Sequence, residues 1–569
     1  MGIVSTERGS IVVRNGGDGA GRLRVATIVA VLTFISIWPI TTPTAPVPPA
    51  ASGFSVDRVL GHVAEIAQAP HPMGSEEIDR VRQYVVGELE DLGLEVQMQP
   101  IMAHDYFGVP GNTVEVVNVM AKVPGGNSSG ALLLVAHYDS MTTTPGANDN
   151  AVGVGVLLET ARVLMEHPPF VNDIIVLFTD GEEPAPRFGS RAFVADHPWA
   201  NDVGFVVNLE AAGGSGPSTV AEVSGPGRWV IEGYAKSAAN PAAYSFVTAI
   251  IGLIGDLGTD FDSFRDADLP GLHFAYVRNS PIYHTVSDSI DSVHIDSVGH
   301  HATNVLGTIE AFGDTDLSAP RGADAGVYFS VGRSGLIGYG TAWALPIAMM
   351  ALVLFTVGLA FGVRRSGLRL RSVVTSALVT LAGLLGGVIA VSLVWWMVTS
   401  IRSKLGVVEG YVYLISLVLF IGVVWDRVAK RRRRNASYVE LLAGVTLVWL
   451  VLAVVLSAWL PGASYAFVWP TIAASVLLLV LASGRAGGSW ARALVPAVVA
   501  APALVLLTPL VDIFFQTAMP RPGNPDSQIV YVIGGSAFLI FLGVALVASA
   551  FSASVGEGGN HVGVRGRID

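Results

Sequence analysis

The sequence contains no cysteine among its 569 residues. Disulfide bonds, iron–sulfur clusters and thiolate zinc sites are therefore excluded, and any bound metal must be held by histidines and carboxylates. A large domain outside the cytoplasm often carries disulfides when it matures in a eukaryotic secretory compartment. The absence of cysteine favours a bacterial envelope instead, and we expect the bacterial plasma membrane as the location of this chain.

Charged residues are also scarce, at 14% of the chain, whereas hydrophobic residues make up 51%. This composition is too apolar for a soluble protein, so part of the chain must lie in a lipid bilayer. The charge is unevenly distributed, because residues 53–320 contain 35 Asp and Glu against 11 Lys and Arg, while the remainder is net basic. Because the globular part is acidic, we expect no nucleic-acid partner.

The N-terminal region combines a basic segment with the first apolar run. Arginines precede an apolar run over residues 25–40, which predicts a cytoplasmic tail over 1–24 and a transmembrane anchor that crosses outward. A cleaved signal peptide is the alternative, because small residues near Ala51 resemble a cleavage region. The Pro- and Thr-rich segment 41–52 predicts a stiff linker. Both alternatives place the following domain outside the cytoplasm.

A series of apolar runs follows a linker that we predict over 321–343. The runs lie near 344–363, 373–398, 411–426, 439–460, 465–483, 493–514 and 529–552. Most reach the roughly 20 residues that span a bilayer, which predicts an α-helical multi-span membrane domain of about seven helices over 344–552. Basic clusters in every second linker place those linkers, and the tail over 553–569, in the cytoplasm. Asp512 and Glu440 lie near the ends of runs, which argues against a proton relay.

Four short apolar runs in the globular part each lead to residues that can bind metal. The runs cover 132–136, 174–178, 205–209 and 272–277. Such runs between helical patterns predict buried parallel strands of an α/β sheet. The residues that follow them are His137 and Asp139, then Glu182 and Glu183, then Glu210, then His284. Because sites in open α/β sheets form outside the carboxyl ends of the strands, we expect these side chains to meet in one crevice.

One further acidic residue, Asp149, lies between the first two of these runs. Together with Asn150 it precedes a helical pattern over 151–166, at a position suited to a helix N-cap. We therefore expect Asp149 on a tight loop at the same edge of the sheet. Each of these acidic residues and histidines is weak evidence alone, because such residues are common on protein surfaces.

The ordered set, however, resembles the family of co-catalytic two-zinc aminopeptidases and carboxypeptidases. Its members are His137, Asp139, Asp149, Glu182, Glu183, Glu210 and His284. The resemblance covers roughly residues 55–315 and implies a zinc-exopeptidase-like mixed sheet flanked by helices. With apolar runs downstream, and with the segments 208–213 and 259–261, the chain looks closest to the endoplasmic reticulum metallopeptidase and fungal vacuolar membrane protease branch.

The resemblance implies two zinc ions per chain and a role for each residue of the set. Asp149 would bridge the ions, His137 and Glu210 would complete one site, and Glu183 and His284 would complete the other. Asp139 would accept the imidazole N–H of His137, and Glu182 would act as general base. The chemistry is consistent, because two cations about 3.5 to 4 Å apart need a shared anionic ligand. The sequence does not distinguish zinc from manganese or cobalt.

The function expected from the sequence is that of a membrane-anchored zinc metallopeptidase, with aminopeptidase activity favoured over carboxypeptidase or dipeptidase activity. Its partners would be a peptide substrate and the lipid bilayer, and a homodimer is an open alternative. Two other functions compete with this one. The first is a one-zinc reaction of the glutaminyl-cyclase kind, and the second is an inactive peptidase-like binding domain attached to a transporter or scaffold. Tyr283 is either a hydrogen-bond donor to the reacting group or an aromatic packing residue.

Overall fold

The computed structural model describes the chain in segments separated by short gaps. The described residues are 53–105, 111–167, 169–184, 187–255, 257–319, 321–332, 335–401, 407–483, 489–519 and 528–556. The tail expected over 1–24, the anchor or signal segment over 25–40 and the linker over 41–52 lie outside the described residues. Most of the tail expected over 553–569 lies outside them as well.

The globular part is built on a seven-stranded mixed sheet. Its strands are β1 (Val96–His104), β2 (Thr113–Val123), β3 (Ala131–His137), β4 (Ile174–Thr179), β5 (Val203–Ala211), β6 (Thr219–Ser224) and β7 (Gly271–Tyr276). Their spatial order is β1-β2-β4-β3-β5-β7-β6. The central strands β4, β3, β5 and β7 are parallel, and the outer pairings are antiparallel. These four central strands are the four apolar runs of the sequence, and every residue of β3 and β4 is buried.

Helices cover both faces of this sheet. In chain order they are α1 (Val56–Ile66), α2 (Glu76–Asp91), α3 (Val152–Glu166), α4 (Phe188–Asp196), α5 (Gly227–Ser237), α6 (Ser245–Ile254), α7 (Asp260–Asp266) and α8 (Ile295–Phe312). The larger core packs α1, α2, α3, α5 and α8 against one face, and a smaller core packs α4 and α7 against the other. The mixed sheet with flanking helices that the sequence predicts is therefore confirmed.

The start of α3 differs from the expected N-cap at Asp149 and Asn150. The residue before the helix is Ala151, and it makes no side-chain cap. Asp149 and Asn150 belong instead to a separate tight turn over Ala147–Ala151, where both have non-helical backbone angles. The Asn150 side chain is used differently, because its Nδ2 donates to the carbonyl of Leu209 at 2.7 Å. The N-cap expectation was wrong, whereas Asp149 does lie on a tight loop at the edge of the sheet.

The segment expected as a linker over 321–343 contains a β-hairpin. Its strands, β8 (Val327–Val331) and β9 (Gly335–Tyr339), pair antiparallel. A bridge joins Phe329 to Tyr244 of the globular part, and the Phe329 ring stacks on Tyr465 of the helical region at a centroid distance of 4.6 Å. Short alternating apolar residues formed a strand pair here because both faces of β8 found packing partners. The segment predicted as a linker therefore contains a strand pair that the sequence did not indicate.

The C-terminal region is helical. Its helices are α9 (Ala344–Ser366), α10 (Leu370–Ile401), α11 (Val407–Arg432), α12 (Tyr438–Trp459), α13 (Pro461–Ala482), α14 (Ser489–Thr517) and α15 (Gln528–Gly556). Within the described residues, α9 to α14 supply six segments that are long and apolar enough to cross a membrane, and α15 supplies a shorter apolar stretch, Gly535–Ala550. The run near 411–426 is part of a helix of 26 residues.

The globular part contacts one end of this helical bundle. Ser245 at the start of α6 donates to the carbonyl of Gly462 at the start of α13, at 2.6 Å. Arg278 pairs with Asp512 near the end of α14. The basic ends of α9 and α11 lie at the other end of the bundle, where Arg369 pairs with Glu440 at the start of α12. Within the described residues, the bundle therefore lies between the globular part and these basic helix ends.

Candidate metal centre

The residues expected to bind metal lie at one edge of the sheet. His137 is the last residue of β3, and Glu210 lies near the end of β5. Glu182 and Glu183 follow β4, and His284 follows β7. Because β4, β3, β5 and β7 are parallel neighbours, their carboxyl ends meet and bring these side chains together.

Two sets of metal-donor atoms form around Asp149. One set is His137, Asp149 and Glu210, and the other is Asp149, Glu183 and His284; the donor atoms within each set lie within 4.8 Å of one another. Asp149 Oδ1 lies 3.3 Å from His137 Nε2, and Asp149 Oδ2 lies 3.3 Å from His284 Nε2. Asp149 thus faces both sets with one oxygen each, as a bridging carboxylate would.

The hydrogen bonding of the donor atoms shows whether they suit a cation. His137 Nε2, Asp149 Oδ2 and Glu210 Oε1 are buried, and none makes a hydrogen bond to another residue that the structure describes. Buried polar atoms are nearly always paired, and an unpaired one costs about 1–3 kcal/mol. Histidine nitrogen and carboxylate oxygen are zinc ligands, and three protein ligands per ion leave a position for substrate. The residues present therefore fit one or two such cations.

The two histidines of the site lie in a strongly negative environment. Burial alone would lower the pKa of His137, but the carboxylates of Glu210 and Glu182 raise it well above its ordinary value. Burial likewise opposes protonation of His284, whereas Asp149 and Glu183 raise its pKa to about 10. The surrounding carboxylates thus favour a positive charge at this place, which is either a proton on an imidazole or a bound cation.

Burial shifts the pKa values of the acidic residues of the site in the opposite direction, upward. Burial raises the pKa of Glu210 to about 7, although His137 acts against it. Burial also raises the pKa of Glu182 well above its ordinary value, and the nearby carboxylates of Glu183 and Glu210 add to the shift. A carboxylate with a raised pKa is suited to accept and return a proton near neutral pH. Glu182 belongs to neither donor set, which leaves its carboxylate available for that role.

Asp139 supports the site in a way that the sequence did not predict. The hydrogen bond to His137 Nδ1 is accepted by the backbone carbonyl of Asp139, at 3.0 Å, while the nearest carboxylate oxygen lies 3.5 Å away. The Asp139 carboxylate instead accepts the backbone N–H groups of Glu182 and Glu183, at 3.2 and 2.9 Å. This residue therefore turns His137 Nε2 toward Asp149 and also fixes the backbone of the glutamate pair.

A second supporting acid, Asp288, holds the loop of Asp149. Its carboxylate accepts the backbone N–H groups of Asn148 and Asp149, at 2.8 and 3.2 Å, and the side-chain amide of Asn148 at 2.8 Å. Tyr276 donates its hydroxyl to Asn148 Oδ1 at 2.9 Å. Burial and the charge of Asp149 raise the pKa of Asp288 to about 6. In the sequence, the only signal for this role is the position of Asp288 shortly after His284.

Asp260 lies beside the site on the first residue of α7. It is buried, and Thr179 at the end of β4 donates a hydrogen bond to its Oδ2. Its other oxygen makes no hydrogen bond within the described part of the chain. Its charge adds to the raised pKa values of Glu182 and Glu210. The sequence placed Asp260 only in a segment that supports the family resemblance.

The next helix does not begin directly after the glutamate pair. The sequence carries prolines at 184 and 186, and α4 begins only at Phe188. Arg187, which precedes the helix, is buried and pairs with Asp262 at 2.9 Å.

The Tyr283 ring stacks on the His284 imidazole at a centroid distance of 3.7 Å. This geometry favours the packing role of Tyr283.

Three other histidines make hydrogen bonds that are structural. His300 Nδ1 accepts the N–H of Ser218, and His301 Nδ1 lies 2.7 Å from the Ser218 hydroxyl. His301 Nε2 lies 3.2 Å from the backbone carbonyl of Glu210. His62 is hydrogen bonded to Tyr84 at 2.7 Å. These histidines belong to neither donor set.

A mixed sheet with a buried histidine and carboxylate cluster at the carboxyl ends of its parallel strands, joined to apolar helices, is the arrangement expected of a membrane-associated metal-dependent hydrolase. A comparison of the sequence with known protein families identifies the domain. Residues 118–309 match Peptidase family M28. The chain therefore contains a domain of Peptidase family M28, a metallopeptidase family, and the resemblance drawn from the sequence is confirmed.

Curated relatives share this domain with the chain. Endoplasmic reticulum metallopeptidase 1 of Mus musculus is 33% identical over 209 residues, which cover 36% of this chain and 23% of the relative. A vacuolar membrane protease of Schizosaccharomyces japonicus is 30% identical over 311 residues, which cover 52% of this chain and 35% of the relative. The chain thus matches only about a quarter to a third of the length of these relatives.

Solved structures also align with the globular part. An aminopeptidase from Aneurinibacillus sp. strain AM-1 aligns with a TM-score of 0.39 and 15% identity, over 47% of this chain and 97% of its own. Porphyromonas gingivalis glutaminyl cyclase aligns with a TM-score of 0.38 and 20% identity, over 45% of this chain and 98% of its own.

Proposed function

We propose that the chain is a membrane-anchored, zinc-dependent aminopeptidase with a peptidase domain over 53–320 and a membrane domain over 344–552. Asp149 would bridge two zinc ions, His137 and Glu210 would complete one site, and Glu183 and His284 the other. The observation that carries the proposal is the position of Asp149, whose two oxygens each lie 3.3 Å from a different histidine.

The chain's own residues supply the proton transfer and the positioning. When bound, the zinc ions would acidify an attacking water molecule and polarise the scissile carbonyl group. Glu182, whose pKa is raised by burial, would take the proton of the water and return it to the leaving amine. The backbone of Glu182 is fixed by Asp139, so the base is positioned before the substrate arrives.

The pairing of Arg187 favours an aminopeptidase over a carboxypeptidase. A carboxypeptidase needs a cation to pair with the α-carboxylate of its substrate. Arg187, the arginine that follows the glutamate pair, already pairs with Asp262. An aminopeptidase needs no such cation, because the substrate end that it binds carries an α-ammonium group.

The orientation in the membrane follows from the position of the basic clusters. The end of the bundle away from the peptidase domain carries Arg364 and Arg365 on α9 and a basic cluster at the end of α11. Positive residues concentrate on the cytoplasmic side, so the peptidase domain would lie outside the cytoplasm. A bacterial plasma membrane is the sequence-based expectation. The relatives' names refer to endoplasmic reticulum and vacuolar membranes and give it no support.

Peptide hydrolysis by the purified full chain tests the proposal. We expect zinc-loaded protein to shorten peptides with free N-termini from that end and to leave the same peptides intact when they are N-acetylated. Glu182→Gln should lower kcat at least about 100-fold, because it removes general base catalysis, while zinc content stays at the wild-type level. Glu65→Gln, on the exposed surface of α1, is the matched control.

Three other outcomes would replace the proposal. Release from the C-terminus only would show a carboxypeptidase. Cyclisation of N-terminal glutamine without hydrolysis, with one zinc per chain, would show a glutaminyl-cyclase-like enzyme. Zinc binding with neither reaction across a broad peptide library would indicate the binding domain of a transporter or scaffold.

A further inference from the structure

The loop that carries His284 begins at the contact with the membrane domain. After β7 the chain passes through Arg278, whose backbone forms two hydrogen bonds with Ser215, each 3.0 Å long. Ser215 belongs to the loop that follows Glu210. Gly213 in that loop packs so closely that an added Cβ would lie 2.3 Å from the carbonyl oxygen of Arg278. The two loops that lead from Glu210 and to His284 are therefore joined at Arg278.

The Arg278 side chain leaves this junction and enters the membrane domain. Its Nε and Nη2 donate to Asp512 Oδ2 on α14, at 3.0 and 2.9 Å. Tyr411 on α11 donates to the other oxygen of Asp512 at 3.1 Å. The Arg278 and Asp512 side chains are only 13% and 12% exposed. A second contact follows at once, because Ser280 donates to the backbone carbonyl of Gln516 at 2.5 Å.

We propose that Asp512 is a positioning residue for the metal centre, acting through Arg278 on the loop of His284. This inference rests on the proposed function only in treating His284 as a zinc ligand. A shielded ion pair is strongly disrupted when one partner is lost, because the other charge is left in a poorly hydrated place. The membrane domain then supports the site as well as anchoring it.

The ion pair of Arg369 and Glu440 is the matched control. It also joins an arginine to a largely buried carboxylate of a membrane helix, through Nε and Nη2 at 3.0 Å each. It lies at the basic end of the bundle, away from the peptidase domain. Glu440→Gln therefore removes an ion pair of the same hydrogen-bond geometry, with a more exposed arginine (63% against 13%), without touching the loop of His284.

The test uses the full chain in lipid nanodiscs with two readouts, zinc affinity by chelator competition and hydrogen exchange of residues 277–284. We expect Asp512→Asn to weaken the binding of zinc at the site of Glu183 and His284 about 10-fold or more and to speed exchange in this loop. Asp512→Glu should retain much of both properties. The reversed pair Arg278→Asp with Asp512→Arg should recover part of what either single change loses. Glu440→Gln should leave both readouts unchanged.

Wild-type zinc affinity and loop exchange in Asp512→Asn would overturn the inference, as would equal effects from Glu440→Gln. Failure of the proposed function is distinguishable, because neither readout requires peptide hydrolysis. If Asp512→Asn does not fold, Asp512→Glu and the reversed pair still decide the matter.

A separate observation concerns α6, which has no ionisable residue. Its first turn packs on the membrane domain, with the Phe246 ring 6.3 Å from Phe467 and 5.9 Å from Phe514. Beyond this contact, Leu253, Ile254 and Leu257 are exposed by 51%, 54% and 40%. This apolar patch is continuous with the contact to the spanning helices.

We infer that the end of α6 inserts into the outer boundary of the bilayer and that lipid acyl chains cover the patch. Apolar helical surface of this kind gains free energy at the boundary between headgroups and acyl chains. We assign lipid acyl chains as the occupant because of the position of α6. This helix lies against the ends of two helices that are apolar enough to cross the membrane.

The absence of cysteine allows a direct test with single spin labels in nanodiscs. A label on Ile254→Cys should be accessible to oxygen and protected from a water-soluble nickel chelate. The control, Met98→Cys on β1, starts from a residue of similar exposure, 59%, and should be accessible to the chelate. Equal chelate accessibility at both positions would overturn the assignment. Dipolar broadening between labels at 254 would show that a second copy covers the patch, which would also overturn it.

Discussion

The carboxylate of Asp139 accepts the backbone N–H of Glu183 across 2.9 Å. Asp139 follows β3 shortly after one candidate ligand, and Glu183 is itself a candidate ligand after β4. The bond therefore links the two donor sets through the protein, independently of any ion. A site that must hold two cations at a fixed separation needs such a link, because metal ligands depend on the groups that orient them.

Asp139→Asn tests this link. The amide can accept one N–H but presents its own N–H₂ to the other, so the glutamate pair should shift. We expect zinc affinity or kcat/KM to fall about 10- to 100-fold, measured by chelator competition and peptide hydrolysis. Asp173→Asn is the control. Asp173 lies just before the start of β4, and its carboxylate also accepts a backbone N–H, that of Gly125 at 2.7 Å. Equal effects from both changes would contradict the role given to Asp139.

Asp288→Asn tests the support of the bridging carboxylate. The Asp288 carboxylate accepts the backbone N–H groups of Asn148 and Asp149, and an amide cannot accept both with the same charge. We expect both zinc ions to be held about 10-fold more weakly, because Asp149 serves both donor sets. Asp139→Asn, by contrast, should act on the glutamate pair. Loss of only one zinc in Asp288→Asn would contradict a bridging role for Asp149.

The buried His273 gives a pH prediction. Burial lowers its pKa to about 3, against about 6.5 in an unfolded chain. Between these values the unfolded chain binds the extra proton, so this residue lowers the free energy of unfolding as the pH falls, by up to about 1.4 kcal/mol per pH unit. The apparent unfolding temperature of His273→Gln should therefore rise relative to wild type between pH 7 and pH 5.

Thermal unfolding of the full chain in detergent measures this difference. His294→Gln, at a histidine whose side chain is 47% exposed, is the control substitution. A constant difference between His273→Gln and wild type across this range would show that the burial of His273 has no part in the acid response.

The orientation of the chain can be tested by labelling, again because the chain lacks cysteine. Asp57→Cys on α1 and Arg434→Cys beyond α11 are both exposed positions. A membrane-impermeant maleimide should label Asp57→Cys in intact cells and should label Arg434→Cys only after the membrane is opened. The reverse pattern would place the peptidase domain in the cytoplasm and contradict the charge argument.

The sequence predicted the central strands because they are buried on both faces and read as unbroken apolar runs, as β3 and β4 show. It also predicted which residues converge, because the carboxyl ends of parallel strands must meet. It did not predict β1, β2 or β6. Exposure alternates along much of β1, and polar residues such as Asn118 interrupt the buried run of β2, so neither strand reads as an unbroken apolar run. The β8–β9 hairpin was missed for a related reason, since its packing partner Tyr465 is distant in the sequence.

The supporting contacts of the site were the hardest part to predict. The family resemblance implied that the Asp139 carboxylate accepts the imidazole N–H of His137, whereas the backbone carbonyl of Asp139 accepts that bond. Hydrogen bonds to backbone groups leave no residue-type signal. The ion pair of Arg278 and Asp512 joins residues from different domains, so no local pattern could indicate it.

Zinc content by elemental analysis of the purified full chain, in wild type and in Asp149→Ala, tests the central claim most directly. We predict about two zinc ions per wild-type chain and loss of both from Asp149→Ala, with Glu182→Gln retaining the wild-type amount. A wild-type chain that holds no tightly bound metal, or an Asp149→Ala chain that keeps two ions, would contradict the account.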